Sequence, residues 1–361
     1  MAEPDLNPSA RPGLPPAANS QLADFWSEPV RGGHPDPRLL RLPGIEQLRR
    51  QMAGESPEPP LSRLTGLRLD AIAAGEARFS MPLTGWLTGA DGQISPGPLS
   101  IPADAAMACA IMSQLPAGTP FTTSEMTLRV LRPVSAGGEV SAIGRVISVG
   151  PPVALAEVAL HDHSGALIAH GSSLCMTLPR IAPGPAGDPD PGTPRETTPD
   201  PWQRPAPETA RASAPGTGLD HLQARIAGEG DPTPLERFTG LAPRSAGQGE
   251  AEYELAASPW FCAPPPGRLQ GGVTITLVEA AMFAAIRTVV PDHQPVHPVE
   301  LKINLLRPLA SDGRAATACG RLVHAGRRVA VARGEVSDAD GRAIAVATGS
   351  ALLGEAVAGP R

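Results

Sequence analysis

The feature that most narrows what this chain can fold into is that it carries one sequence pattern twice. Gln270-Gly271-Gly272 runs straight into an apolar stretch holding a single acid, Glu279, and sliding back by 175 positions sets Gly272 on Gly97 and Glu279 on Asp104. Leu61-Ser62-Arg63-Leu64-Thr65-Gly66-Leu67 returns as Leu235-Glu236-Arg237-Phe238-Thr239-Gly240-Leu241, and Gly75-Glu76-Ala77 returns as Gly249-Glu250-Ala251. Trp86 returns as Trp260, Leu131-Arg132-Pro133 as Leu306-Arg307-Pro308, and Gly165 as Gly341. The offset drifts only from 174 to 176, which is the mark of a duplication. A lone acid in an apolar helix is costly to bury, so its recurrence in both copies points to a site.

Each copy has one layout: a lead-in helix, two strands, a long apolar helix, then a run of strands. Leu301, Ile303 and Leu305 alternate with Lys302 and Asn304, and Met126, Leu128 and Val130 alternate with Thr127 and Arg129, the period of a half-buried strand. Further strands are predicted at about 140–149, 153–161 and 166–177 and at the matching places in the second copy, with Asp340-Gly341 as a hairpin turn. Successive strands around one helix make an α+β architecture with an antiparallel sheet.

With 361 residues, 41% of them hydrophobic, the chain can build two ordinary cores. A net charge of -6 without a basic run argues against nucleic acid or an anionic membrane surface as the main partner. No apolar run is long enough to span a membrane, and the start of the chain, rich in Pro and Ala, has no secretory pattern. Cys109, Cys175, Cys262 and Cys319 are isolated and lack zinc-ligand spacing, so the expectation is free thiols in a reducing cytoplasm. The organisation predicted is a loosely held tail over 1–42, on which Leu22, Phe25 and Trp26 could dock, a first domain over 43–180 and a Pro-rich extended linker over 181–216. A second domain covers 217–355 and a short tail 356–361; Trp202 is expected to be solvated within the linker.

A glycine pair with an acid eight residues after its first position, at the head of an apolar helix and followed by a Leu-Arg-Pro strand, resembles the hotdog-fold acyl-CoA thioesterases of the PaaI-like family. The resemblance implies a tandem hotdog, each copy a sheet wrapped around its long helix, the two paired as an intramolecular pseudo-dimer with a site shared across the pair. It implies an acyl-CoA or other acyl thioester as substrate, no cofactor beyond the substrate's own CoA, and room for a further pairing of two such chains. In the family the first glycine of the pair gives a backbone N–H to the thioester oxygen, and the acid attacks the carbonyl or activates water.

That donor position is Gly271 in the second copy but Pro96, which has no N–H, in the first. The expectation is therefore one working site, built from Gly271 and Gly272 with Asp104 and Thr123. Glu279, facing Pro96, is expected to lack a donor, and copy two has Pro298 where copy one has Thr123. Gln270 and Gly97 are expected to contact substrate; Gln270 and Ser95 stand where the family has a His. Pro102 is expected to kink the first helix near Asp104, and Arg132 and Arg307 to hold the sheet edge. A silent acyl-thioester binder is the alternative. A hotdog hydratase pairs its Asp with a His five positions on, where Cys109 and Ala284 stand here.

Overall fold

The computed structural model describes residues 25–181, 199–208, 216–291 and 294–354. The first copy runs α1 (Gly44–Met52), α2 (Pro60–Thr65), β1 (Arg68–Ala73), β2 (Glu76–Pro82), α3 (Pro96–Met112), β3 (Phe121–Val130), β4 (Glu139–Val149), β5 (Val153–His161) and β6 (Leu167–Thr177). The second repeats it as α4 (Gly218–Ile226), α5 (Pro234–Thr239), β7 (Ala242–Gly247), β8 (Glu250–Ala256), α6 (Gly271–Arg287), β9 (Val296–Leu305), β10 (Ala315–Ala325), β11 (Val329–Ser337) and β12 (Ala343–Leu353). The repeated Gly75 and Gly249 turn the first hairpin of each copy, both at positive φ (80° and 79°), a conformation that glycine adopts without a steric cost.

All the strands form one antiparallel sheet of twelve, in the order β1-β2-β4-β5-β6-β3-β9-β12-β11-β10-β8-β7. The two copies meet at β3 and β9, where the two alternating stretches read from the sequence lie side by side: Met126 faces Ile303 and Leu128 faces Leu301, all four fully buried. On the outer face the same seam carries the ion pair Arg129–Glu300 at 2.8 Å. Each sheet half curls around its own helix, and α3 and α6 pack against one another inside. The helices can sit this close to the strands because Gly144 on β4 and Gly320 on β10 lack side chains; a Cβ there would fall 2.4 Å and 2.2 Å from the carbonyl oxygens of Ala106 and Ala281. α3 continues unbroken through Pro102 to Met112, so Pro102 does not end the helix.

Two expectations outside the copies are corrected. From Phe25 onward the segment before 43 is not a loose tail, and the docking considered for Phe25 and Trp26 is observed: Phe25 is 3% exposed and packs on Trp86 of copy one and Phe238 of copy two, and the Trp26 ring lies 5.6 Å from that of Phe261. Leu22 lies outside the described residues. Trp202 is not solvated either; it is half-buried and packs on the core, while the buried Asp200 takes ion pairs from Arg31 at 3.4 Å and Arg63 at 2.9 Å. The aromatic rings draw these segments in, because a large apolar side chain gains more by covering the seam between the copies than by staying in water. Among the described residues no helix is long and apolar enough to cross a membrane.

Candidate active site

The N-terminal halves of α3 and α6 cross with their backbones in contact. A Cβ on Gly272 would lie 2.7 Å from the backbone of Ile101, and one on Gly97 would lie 2.9 Å from Cα of Thr276. This closeness carries each helix's acid to the other helix's N-terminus, where unpaired N–H groups and the positive end of the helix dipole favour negative charge.

At the first junction the structure brings together Asp104, Thr123 and Gly271. The Thr123 hydroxyl donates to Asp104 Oδ1 at 3.1 Å and the Gly271 amide donates to the same carboxylate. Burial pushes Asp104 up to about 6, against the pull of these two donors. Two other residues of the expected site are engaged elsewhere. Gly272 gives its N–H to Gln270 Oε1 at 2.8 Å, and Gln270 Nε2 donates to the Ile101 carbonyl at 3.1 Å, so the Gln270 side chain caps α6 and ties it to α3. Neither Asp104, Thr123 nor Gly271 lines the larger cavity described below.

At the second junction the expectation of a missing donor is overturned. Pro96 has no N–H, but Glu279 is one methylene longer than Asp and reaches the next amide: Gly97 N donates to its Oε2 at 2.9 Å, and the Ser95 hydroxyl donates to the same oxygen at 2.9 Å. Gly97 is thus a partner of the acid, and it is the one residue of Pro96-Gly97-Pro98 with an N–H to give. The other oxygen, Oε1, is buried and has no hydrogen-bond partner among the described residues. Burial pushes Glu279 up to about 8, opposed by Ser95 and Gly97 and reinforced by the charge of Asp91.

Glu279 and Ser95 line a cavity of about 370 Å³ between the copies. Its walls come from the loop before α3, the end of β3, the outer half of α6, the start of β9 and the α4–α5 region, and Leu131 and Leu352, 55% and 49% exposed, stand among its lining residues. Phe283, Leu241 and Tyr253 make part of an apolar wall. A buried carboxyl with one oxygen held and the other unpartnered, beside such a cavity, can take a proton from a water or attack an electrophilic carbon.

Solved structures with this architecture exist. A hotdog-fold protein of unknown function from Alicyclobacillus acidocaldarius is 11% identical, with a TM-score of 0.51, 83% of this chain and all of that one being covered. An acyl-CoA thioesterase II from Mycobacterium marinum is 11% identical at a TM-score of 0.50, over 81% of this chain and 97% of that one. The chain is a tandem hotdog. Both copies of the tandem hotdog match the thioesterase superfamily model, over residues 100–169 and 266–345. A structure of the PaaI protein from the Escherichia coli phenylacetic acid degradation operon is 21% identical over 39% of this chain and 96% of that one, at a TM-score of 0.34. No curated protein matches the tandem hotdog in sequence.

Sequence reasoning gave Ser95 no role beyond occupying the position of the family's His, and it missed Asp91. Ser95 precedes a helix-starting proline, the usual place for a capping hydroxyl, yet its side chain makes no cap and turns to Glu279. The signal was present in Ser95-Pro96-Gly97-Pro98: a helix start stripped of two amides leaves the hydroxyl and the Gly97 N–H as the donors an incoming acid meets.

Proposed function

We propose that this tandem hotdog hydrolyses acyl-CoA thioesters to the free acid and CoA, and that Glu279 carries the reaction. The observation behind this reading is that Glu279, a buried carboxyl with one oxygen held and the other unpartnered among the described residues, is one of the residues lining the cavity. The superfamily match over both copies supports a thioester as the substrate class.

In this reading Gly97 and Ser95 hold Oε2 and fix the carboxylate, and Oε1 works on the substrate. Once ionised, Glu279 takes a proton from a water, whose oxygen adds to the thioester carbonyl carbon. The carbonyl oxygen gains negative charge near the N-terminus of α3, where the helix dipole favours it. Collapse breaks the C–S bond, and the proton held by Glu279 goes to the departing sulfur. No group beyond substrate and water is needed. The Asp104 junction, away from the cavity, is read as its structural counterpart.

The test is thiol release from a panel of acyl-CoAs. Glu279→Gln is expected to lower kcat by about 100-fold or more, the usual range for a lost general base, while Asp104→Asn keeps most of the activity. The reverse ranking in folded protein would put the chemistry at Asp104. Acyl-CoA binding without thiol release by the unaltered chain would favour the silent binder.

A further inference from the structure

The Leu-Arg-Pro motif occurs once in each copy, yet its two arginines have different surroundings. Arg307 donates to the Ala343 carbonyl at 2.7 Å and so secures the sheet edge, as the sequence suggested for both. Arg132 does not: it makes no hydrogen bond or ion pair among the described residues, it is exposed, and it lines the Glu279 cavity. The two other arginines on that cavity are each neutralised by an acid that also lines it. Arg287 pairs with Asp91 at 3.1 Å and Arg225 with Glu236. Among the described residues Arg132 is therefore the arginine of this cavity without an ion-pair partner, and it lines the same cavity as Glu279.

An arginine left unpaired beside a cavity suits an anion that arrives with the ligand, and its planar fork matches the oxygens of a phosphate. We propose that Arg132 binds a phosphate of the thioester's carrier and so selects phosphopantetheine-type thioesters over thioesters of simple thiols. The inference rests on the thioesterase reading for its substrate, but the phosphate contact can be tested without turnover. Two carriers bring this chemistry. CoA has a phosphate at the pantetheine joint and others on its nucleotide, and an acyl carrier protein has only the one at the joint.

The experiment compares one acyl group on three thiols, CoA, an acyl carrier protein and N-acetylcysteamine, which has no phosphate. Arg132→Ala should raise KM for the acyl-CoA about 3- to 10-fold with kcat unchanged and leave the N-acetylcysteamine thioester unaffected, a size typical of a partly exposed charged contact. Arg132→Lys should recover part of the loss, and Arg307→Ala should match the unaltered chain. A defect with both CoA and the carrier protein assigns the contact to the shared phosphate, and a defect with CoA alone assigns it to the nucleotide end. An unchanged KM for both, or an equal rise for N-acetylcysteamine, overturns the proposal. Calorimetric titration with free CoA separates this from the reaction itself. If no substrate is cleaved, the thioesterase reading fails, and weaker CoA binding by Arg132→Ala still supports the contact. Equal binding by the two proteins, or none by the unaltered chain, rejects it.

Discussion

Ser95 is the residue whose removal reports most directly on Glu279. Its hydroxyl pulls the acid's pKa down against burial, so Ser95→Ala should move Glu279 above its present value of about 8. With Glu279 as the base, kcat/KM of the unaltered chain should climb with pH to an inflection near 8, and Ser95→Ala should shift that inflection upward; a profile flat from pH 6 to 9 would remove Glu279 from the reaction. Stability follows the same proton with the opposite sense. Between the ordinary carboxyl value of 4.5 and about 8 the folded chain holds a proton that the unfolded chain has lost, so this contribution to stability falls as pH rises through that window and is level above it. Asp104 adds the same trend between 3.8 and about 6. Glu279→Gln removes its part of the penalty, and its Tm should exceed that of the unaltered chain by several degrees at pH 8.5 and approach it at pH 5, as thermal melts would show. At this scale the sequence was half legible. It paired Asp104 with Gly271 across the copies and with Thr123 of its own copy, but it judged Glu279 by the residue aligned with the family's donor. The reach of one extra methylene to Gly97 is a matter of three dimensions.

The elements themselves were read closely, because duplicated alternation marks strands well: the stretches expected at about 140–149, 153–161 and 166–177 are Glu139–Val149, Val153–His161 and Leu167–Thr177. What alternation does not carry is which glycines let a helix lie on a strand. Gly144 and Gly320 do so by meeting helix backbone rather than a movable side chain. Gly144→Ala and Gly320→Ala should therefore each cost about 1–3 kcal/mol in urea unfolding, the usual range for overpacking. Gly247→Ala, with nothing within 4 Å, should cost far less. Equal losses at all three positions would mean that the helices are not seated as described.

At the scale of the whole molecule, the repeat foretold the pairing of the copies, and Phe25 and Trp26 stood out as able to dock, but the places where they and Trp202 land were not legible. Phe25, Trp26 and Trp202 are single aromatics in Pro-rich surroundings, and nothing periodic announces where they land. The β3–β9 ladder and the crossing of α3 with α6 join the copies directly, without passing through the covalent connection. A protease site inserted between residues 182 and 198 should therefore yield two fragments that elute together in size-exclusion chromatography and retain the melting behaviour of the intact chain. The connection matters in another way. Where two identical chains pair, every substitution lands at both junctions at once, so a change that ruins one ruins the other. With the copies in one reading frame, each junction can mutate alone: Asp104 can settle into a role in holding the fold together while Glu279 adapts to a ligand, and selection can refine one without paying for it in the other.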